Sequence, residues 1–177
     1  MLATVAESST LEVGLIGNEG MAGLPLFLGV ANSNNRAVVQ GAGSALSLKA
    51  TDFQVECHKR GALSQILRRY THSLLTQVSQ SAVCYRFHPI EERLARWLLM
   101  TSDRMASDEF QITQEFLSNM LGVRREAVNK AAVSLQHKKM ICYSRGQVSI
   151  LNREGLTATA CQCYGIIKAE ENSFHTV

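Results

Sequence analysis

"LGVRREAVNKAAVSL" (residues 121–135) sets two arginines and a glutamate directly after a Leu-Gly-Val corner and then settles into helical spacing. Val128, Ala131, Ala132 and Leu135 recur at steps of three and four and make one apolar stripe, while Arg125, Glu126, Asn129 and Lys130 fall on the opposite side. Just upstream, Thr113 offers an N-cap for a short helix in "QEFLSNM", with Phe116, Leu117 and Met120 inward. A short helix, a three-residue corner containing Gly122 and a second helix starting near Arg124 are the spacing of a helix-turn-helix. The first turns of the second helix of such a unit enter the major groove of DNA. There arginine can donate twice to guanine and glutamate can accept from cytosine. Glu126 is the informative charge, because an acid among phosphates is unfavourable in purely non-specific binding and fits base reading better. The plainer alternative is a solvated helix face with a Glu126–Lys130 pair one turn apart.

The next segment favours the nucleic-acid reading. "MICYSRGQVSIL" (140–151) places two β-rich runs around Ser144-Arg145-Gly146, a hairpin with arginine at its tip. A basic hairpin directly after a recognition helix is a wing, which lies along the DNA backbone with Arg145, Lys138 and Lys139 on phosphates. The formal net charge of the 177-residue chain is only +3, so the argument rests on placement. Between Leu121 and Arg153 the chain carries Arg124, Arg125, Lys130, Lys138, Lys139, Arg145 and Arg153 against the single acid Glu126.

Upstream, "FHPIEERLARWLLMTSDR" begins a helix with Pro89 near its first position, Glu91 and Glu92 where the helix dipole favours anions, and Ile90, Leu94, Trp97 and Leu98 on one face. From Ala62 to about Tyr85 apolar residues (Leu63, Ile66, Leu67, Tyr70, Leu74, Leu75, Val78, Ala82) recur at helical steps without Gly or Pro. Such a helix spans about 37 Å, longer than its own domain needs, and a pairing with a second copy through residues 62–86 is expected. Residues 1 to about 50 alternate short apolar runs with glycines and read as roughly five short strands of an antiparallel structure. That pattern opens in its middle, so the β-unit reads as partial, with further strands expected before it or a partner over its edge. The fold class is therefore α+β: a partial antiparallel β-structure over 1–60, a dimerisation helix over 61–87 and a winged helix-turn-helix with a helical tail over 88–177.

At these residues the chain resembles the cyclic-AMP-receptor and fumarate-nitrate-regulator (Crp/Fnr) family of bacterial transcription factors. "LGVRREAVNKAAVSLQHKKMI" is similar to that family's Leu-Gly-x-Ser-Arg-Glu-Thr-Val-x-Arg recognition helix, "EERLARWLL" to the helix before its DNA-binding domain, and "VGLIGNEGMAGLPLFLG" to the glycine-rich turn of its effector-binding β-roll. The resemblance implies that the β-structure over 1–60 is a partial antiparallel β-roll. It also implies a homodimer on a palindromic operator in double-stranded DNA, with RNA polymerase as a further partner. It places the base readers at Arg125, Glu126 and Lys130, beside Asn129, and phosphate contacts at Thr113 and Arg124. Arg124 stands where the family has a capping Ser or Thr, so the cap is lost and a stronger phosphate contact takes its place. Lys130 replaces an arginine, which weakens bidentate reading. The family's nucleotide-binding members carry a glutamate just after the glycine turn and an arginine about ten residues on. Here Gly23 is followed by Leu24 and Pro25, and Arg36 lies a residue or two out of register. Gly23, Leu24 and Arg36 mark the effector position, but no cofactor is expected and cyclic nucleotide is disfavoured.

Five cysteines (Cys57, Cys84, Cys142, Cys161, Cys163), odd in number and scattered, read as reduced thiols. Cys161-Gln162-Cys163 supplies only two soft ligands, and the iron-sulfur regulators of the family use an N-terminal cysteine group that these residues do not reproduce, so no metal site is expected. Cys57-His58 and Cys84 near His88 prove no catalytic geometry, and an enzyme is not expected. The chain has no apolar run of about 18 residues and no signal-peptide pattern, which reads as cytoplasmic, with no membrane partner. The alternatives are a ligand-binding or protein-interaction module whose helix-turn-helix does not bind DNA, and a thiol or metal sensor acting through Cys161 and Cys163.

Overall fold

A two-stranded hairpin opens the chain: β1 (Leu2–Ala6) pairs antiparallel with β2 (Ser9–Glu12), with Leu2 opposite Glu12 and Thr4 opposite Thr10. The computed structural model describes residues 1–6 and 9–175. A loop then leads through Gly23, whose φ of 106° suits a residue without Cβ, into the single turn α1 (Leu24–Phe27) with Pro25 in its first positions. Between Leu28 and Lys49 the described backbone makes turn bonds back to α1 and an isolated β-bridge from Arg36 to Leu2. α2 (Ala50–His58) follows, then the long helix α3 (Ala62–Phe87) and α4 (Ile90–Met105).

The C-terminal half alternates short strands and helices: β3 (Glu109–Gln111), α5 (Gln114–Leu121), α6 (Arg125–His137), β4 (Ile141–Ser144), β5 (Gln147–Ile150), α7 (Arg153–Thr159) and α8 (Cys163–His175). The three strands form one antiparallel sheet in the order β3-β5-β4, with Phe110 opposite Val148 and Tyr143 opposite Val148 on the other edge. The main core lies between α4, α5, α6 and this sheet, where Leu94, Leu98, Leu99, Leu117, Leu121, Val128, Leu135, Val148 and Leu156 are almost wholly buried. Trp97 is in that layer, as its helical spacing predicts, and its indole N–H donates to Glu12 Oε1 at 3.0 Å. Burial pushes the Glu12 carboxyl up, against the hydrogen bonds from Gln40 and Trp97. The hairpin thus docks on the C-terminal domain. A second, smaller core gathers Leu24, Phe53, Leu67, Tyr70 and Leu74 where α1 and α2 lean on the first half of α3.

The expected sheet of about five strands in the first fifty residues is reduced to one hairpin and one bridge. The reason is visible in exposure. Val39 and Leu46, which read as strand residues, are 88% and 104% exposed, so no neighbouring strand covers them and an unpaired strand has little to hold it. α2 was not foreseen either, because of its residues only Phe53 is buried and no apolar period marks it. The long helix ends at Phe87, within the expected 61–87 and one residue past the 62–86 pairing segment, and α4 begins directly after Pro89.

Candidate nucleic-acid interface

The corner of the helix-turn-helix is held by backbone chemistry. Thr113 caps α5 by accepting from the Phe116 N–H at 3.1 Å. At the other end Gly122 takes φ 61°, and the N–H of Val123 returns to the Ser118 carbonyl at 3.0 Å, a left-handed closure that favours glycine. α6 then starts with Arg124 in the cap position and no side-chain cap, as the loss of Ser or Thr predicts.

Val128, Ala131, Ala132 and Leu135 of α6 are buried, and Arg124, Arg125, Glu126, Asn129 and Lys130 are all exposed. The i to i+4 pair of the plainer reading does not form, since Glu126 and Lys130 make no ion pair among the described residues. Asn129 is oriented by Gln114 of α5, whose amide N–H donates to Asn129 Oδ1 at 3.1 Å and leaves the asparagine's own amide hydrogens free. Gln114 escaped the sequence reading; its place in the first turn of α5 was the available signal.

The wing is a two-residue hairpin. Ser144 pairs with Gln147 across Arg145 (φ 50°) and Gly146 (φ 81°), the backbone of a type I′ turn, and the Arg145 side chain is exposed at the tip. Tyr143 fastens this hairpin: its N–H donates to Gln136 Oε1 and its hydroxyl to the Ile112 carbonyl, both at 2.8 Å. Burial pushes the Tyr143 phenol up, and the Arg125 charge opposes that shift, which puts the start of α6 within electrostatic reach of the wing.

Two of the seven basic residues are engaged elsewhere. Lys138 pairs with Glu91 at 2.5 Å, tying the end of α6 to the first turn of α4. Arg153 is held by Asp103, by Asp108 at 2.9 Å and by the Ser102 hydroxyl at 2.8 Å. Lys139 is exposed at φ 55° just past the helix. The effector residues are not gathered into a cavity by any contact of the structure: Leu24 is in the second core, Gly23 is exposed in a turn, and Arg36 is exposed with its backbone bridged to Leu2. Beside the start of α4, Cys161 and Cys163 come together with Cys84 and His88.

A helical core with a three-stranded sheet, an exposed polar recognition face and an arginine-tipped hairpin define a winged helix-turn-helix protein. Residues 92–159 match the Crp-like helix-turn-helix domain. Over 158 residues, 88% of this chain and 71% of the relative, the chain is 29% identical to the probable transcriptional regulator flp of Lacticaseibacillus casei. Among solved structures it is similar in fold to FixK2 from Bradyrhizobium japonicum (18% identity, TM-score 0.53, 61% of this chain and 59% of that one). It also matches a Crp/Fnr-family regulator from Eubacterium rectale (24% identity, TM-score 0.46, 62% and 51%). The match thus spans little more than half of those solved chains. The resemblance seen in the sequence agrees with these matches: the winged-helix part is similar to a Crp-like domain, and the curated relative is a probable transcriptional regulator. No helix is long and apolar enough to cross a membrane among the described residues.

Proposed function

We propose that this protein is a cytoplasmic, sequence-specific DNA-binding regulator that reads a palindromic operator as a homodimer. The observation that carries the reading is the α6 face, where Arg124, Arg125, Glu126, Asn129 and Lys130 are exposed together beside a wing tipped by Arg145. In this reading Arg125 and Lys130 donate to guanine edges, Glu126 accepts from cytosine, and Asn129, positioned by Gln114, donates to an acceptor in the same groove. Arg124, Lys139 and Arg145 hold phosphates, and Thr113 and Lys138 approach the backbone at the edges of the face. Lys138 reaches a phosphate only by sharing its charge with Glu91.

Dimerisation is assigned to α3. Leu75, Val83 and Phe87 are 60%, 41% and 71% exposed on its second half, an apolar surface suited to a copy of itself. RNA polymerase is a further partner of such a dimer at a promoter. Cyclic nucleotide is no part of the proposal, since Leu24 occupies the second core where a ribose-binding carboxylate would be needed.

Selection of bound duplexes from a random pool at near-physiological salt tests the reading. The expected result is a two-fold symmetric site with half-sites about one helical turn (~34 Å) apart. Recovery of no shared sequence, together with binding that does not weaken as salt rises, would overturn it.

A further inference from the structure

Four soft donors from two distant stretches of chain converge beside the junction of α3 and α4. Cys84 lies on the last turns of α3, His88 in the link to α4, and Cys161 and Cys163 around the start of α8. Their ligand atoms all lie within 4.8 Å of one another. The Sγ atoms of Cys84 and Cys161 are 3.5 Å apart, and Cys163 Sγ is 3.6 Å from His88 Nδ1. A tetrahedral zinc ion with bonds of about 2.3 Å to sulfur and about 2.05 Å to nitrogen sets its ligands about 3.8 Å (S to S) and about 3.6 Å (S to N) apart. The observed separations are therefore those of a mononuclear site. A four-iron cubane, which distributes its thiolates over separate irons, needs them further apart.

The surroundings supply a second, independent observation. Arg96 is 2% exposed, and its Nε and that of Arg93 are buried without a hydrogen-bond partner. Neither guanidinium forms an ion pair among the described residues, and Arg96 interacts electrostatically with Cys84, Cys161 and Cys163. The buried Glu12 carboxyl also acts on Arg96, so two buried guanidiniums face one carboxyl, and a buried cation left unmatched is costly. Three thiolates and one neutral imidazole around a divalent ion carry a net charge of −1, the charge this pocket lacks. The three cysteines are buried and His88 only partly so, which leaves the imidazole side as the path of entry.

We propose that Cys84, His88, Cys161 and Cys163 form a tetrahedral Cys3His site for Zn2+ that staples the end of α3, its link to α4 and the start of α8. On binding, each coordinating thiol gives up its proton to solvent and no electron is transferred. The staple fixes the angle between the dimerisation helix and the winged domain, so its occupancy bears on DNA affinity without touching the recognition face.

The test uses the full chain, stripped by a chelator under reducing, anaerobic conditions and titrated with Co2+ and then Zn2+. The expected result is one Co2+ per chain, with the intense visible bands of tetrahedral cobalt and a thiolate-to-metal charge-transfer band, both abolished by Zn2+. Zinc should protect three of the five thiols from a thiol reagent and leave Cys57 and Cys142 reactive. Cys84→Ser and Cys161→Ser should each weaken Co2+ binding by about 100-fold or more, and Cys57→Ser/Cys142→Ser should not change it. Circular dichroism identifies a variant that fails to fold, and thiol protection in the unaltered chain stands independently of the variants. Absence of a tetrahedral spectrum, protection that includes Cys57 or Cys142, or loss of two thiols as a Cys84–Cys161 disulfide with no metal retained would each overturn the proposal. None of these readouts involves DNA, so failure here leaves the recognition reading standing, and the reverse.

Discussion

Arg125 and Arg145 are both exposed arginines, yet their surroundings assign them different work. Arg125 opens a rigid helix anchored by Val128 and Leu135, a placement that suits one base pair. Arg145 sits at the tip of a two-residue turn, a placement that suits any phosphate. Arg125→Ala is expected to cost about 1–3 kcal/mol on the cognate operator and to relax preference at one position, read by competition among single-base variants of the site. Arg145 should be replaced by Asn, which tolerates its positive φ, so that the charge is removed without straining the turn. Affinity should then fall similarly on every duplex, and the slope of log K against log salt should drop by about one. An equal loss on all sequences from the Arg125 change would remove it from base reading. Gly122 makes a third residue-level case, because at φ 61° an added Cβ is strained and would lie 2.5 Å from Leu11 Cδ1. Gly122→Ala is expected to lower stability by about 1–2 kcal/mol in denaturant unfolding. The charged residues were legible one by one in the sequence, since an apolar stripe fixes which side of a helix is outside. Asn129's tether to Gln114 was not, because it depends on the crossing of α5 over α6.

At the scale of elements, α6 is positioned by contacts at both ends: the Thr113-capped α5 before it and the Lys138–Glu91 pair behind it. The Lys138 hydrogen bond holds the Glu91 carboxyl below its ordinary value. A carboxylate with a depressed folded pKa adds stability above its unfolded value of 4.5, and that contribution is lost as pH falls through the folded value. Both groups are partly exposed, so the pair contributes less than about 1 kcal/mol. Lys138→Ala should therefore unfold slightly earlier in denaturant at pH 7, and the difference from the unaltered protein should vanish on acidification. The helices α3 to α6 and the β4–β5 hairpin were readable because each carries a period with a cap, a glycine corner or a turn pair at its limits; the three-residue β3 was not, being too short to show a period. Residues 13–49 and α2 were not. The apolar residues of 13–49 do alternate, but alternation predicts a strand only where a neighbour exists to pair with it, and Val39 and Leu46 have none, while α2 buries only Phe53. The Cys84-His88 and Cys161-Cys163 pairs were each visible as short motifs; that they meet depends on α8 folding back over α3 and α4, which no local pattern encodes.

For the whole molecule, the critical surface is the second half of α3. One side of that helix is covered by α8 and by the second core, while Leu75, Val83 and Phe87 stay exposed. Leu75→Glu is expected to shift the protein to monomer in sedimentation without lowering its helix content, and to weaken binding to a two-half-site operator far more than to a single half-site. A dimer that persists would place the interface elsewhere. The α4 helix also binds the two ends of the described chain through one side chain. Arg104 is 8% exposed and bridges Glu19, near the start, at 3.1 Å and Glu171, in the last helix. This arrangement has a consequence in time. On the ribosome, Arg104 is made well before its second carboxylate, and α3 and α4 wait with one flank bare until α8 has left the exit tunnel. The recognition face can form early from its own local contacts, but the body that aims it closes only once α8 has been made.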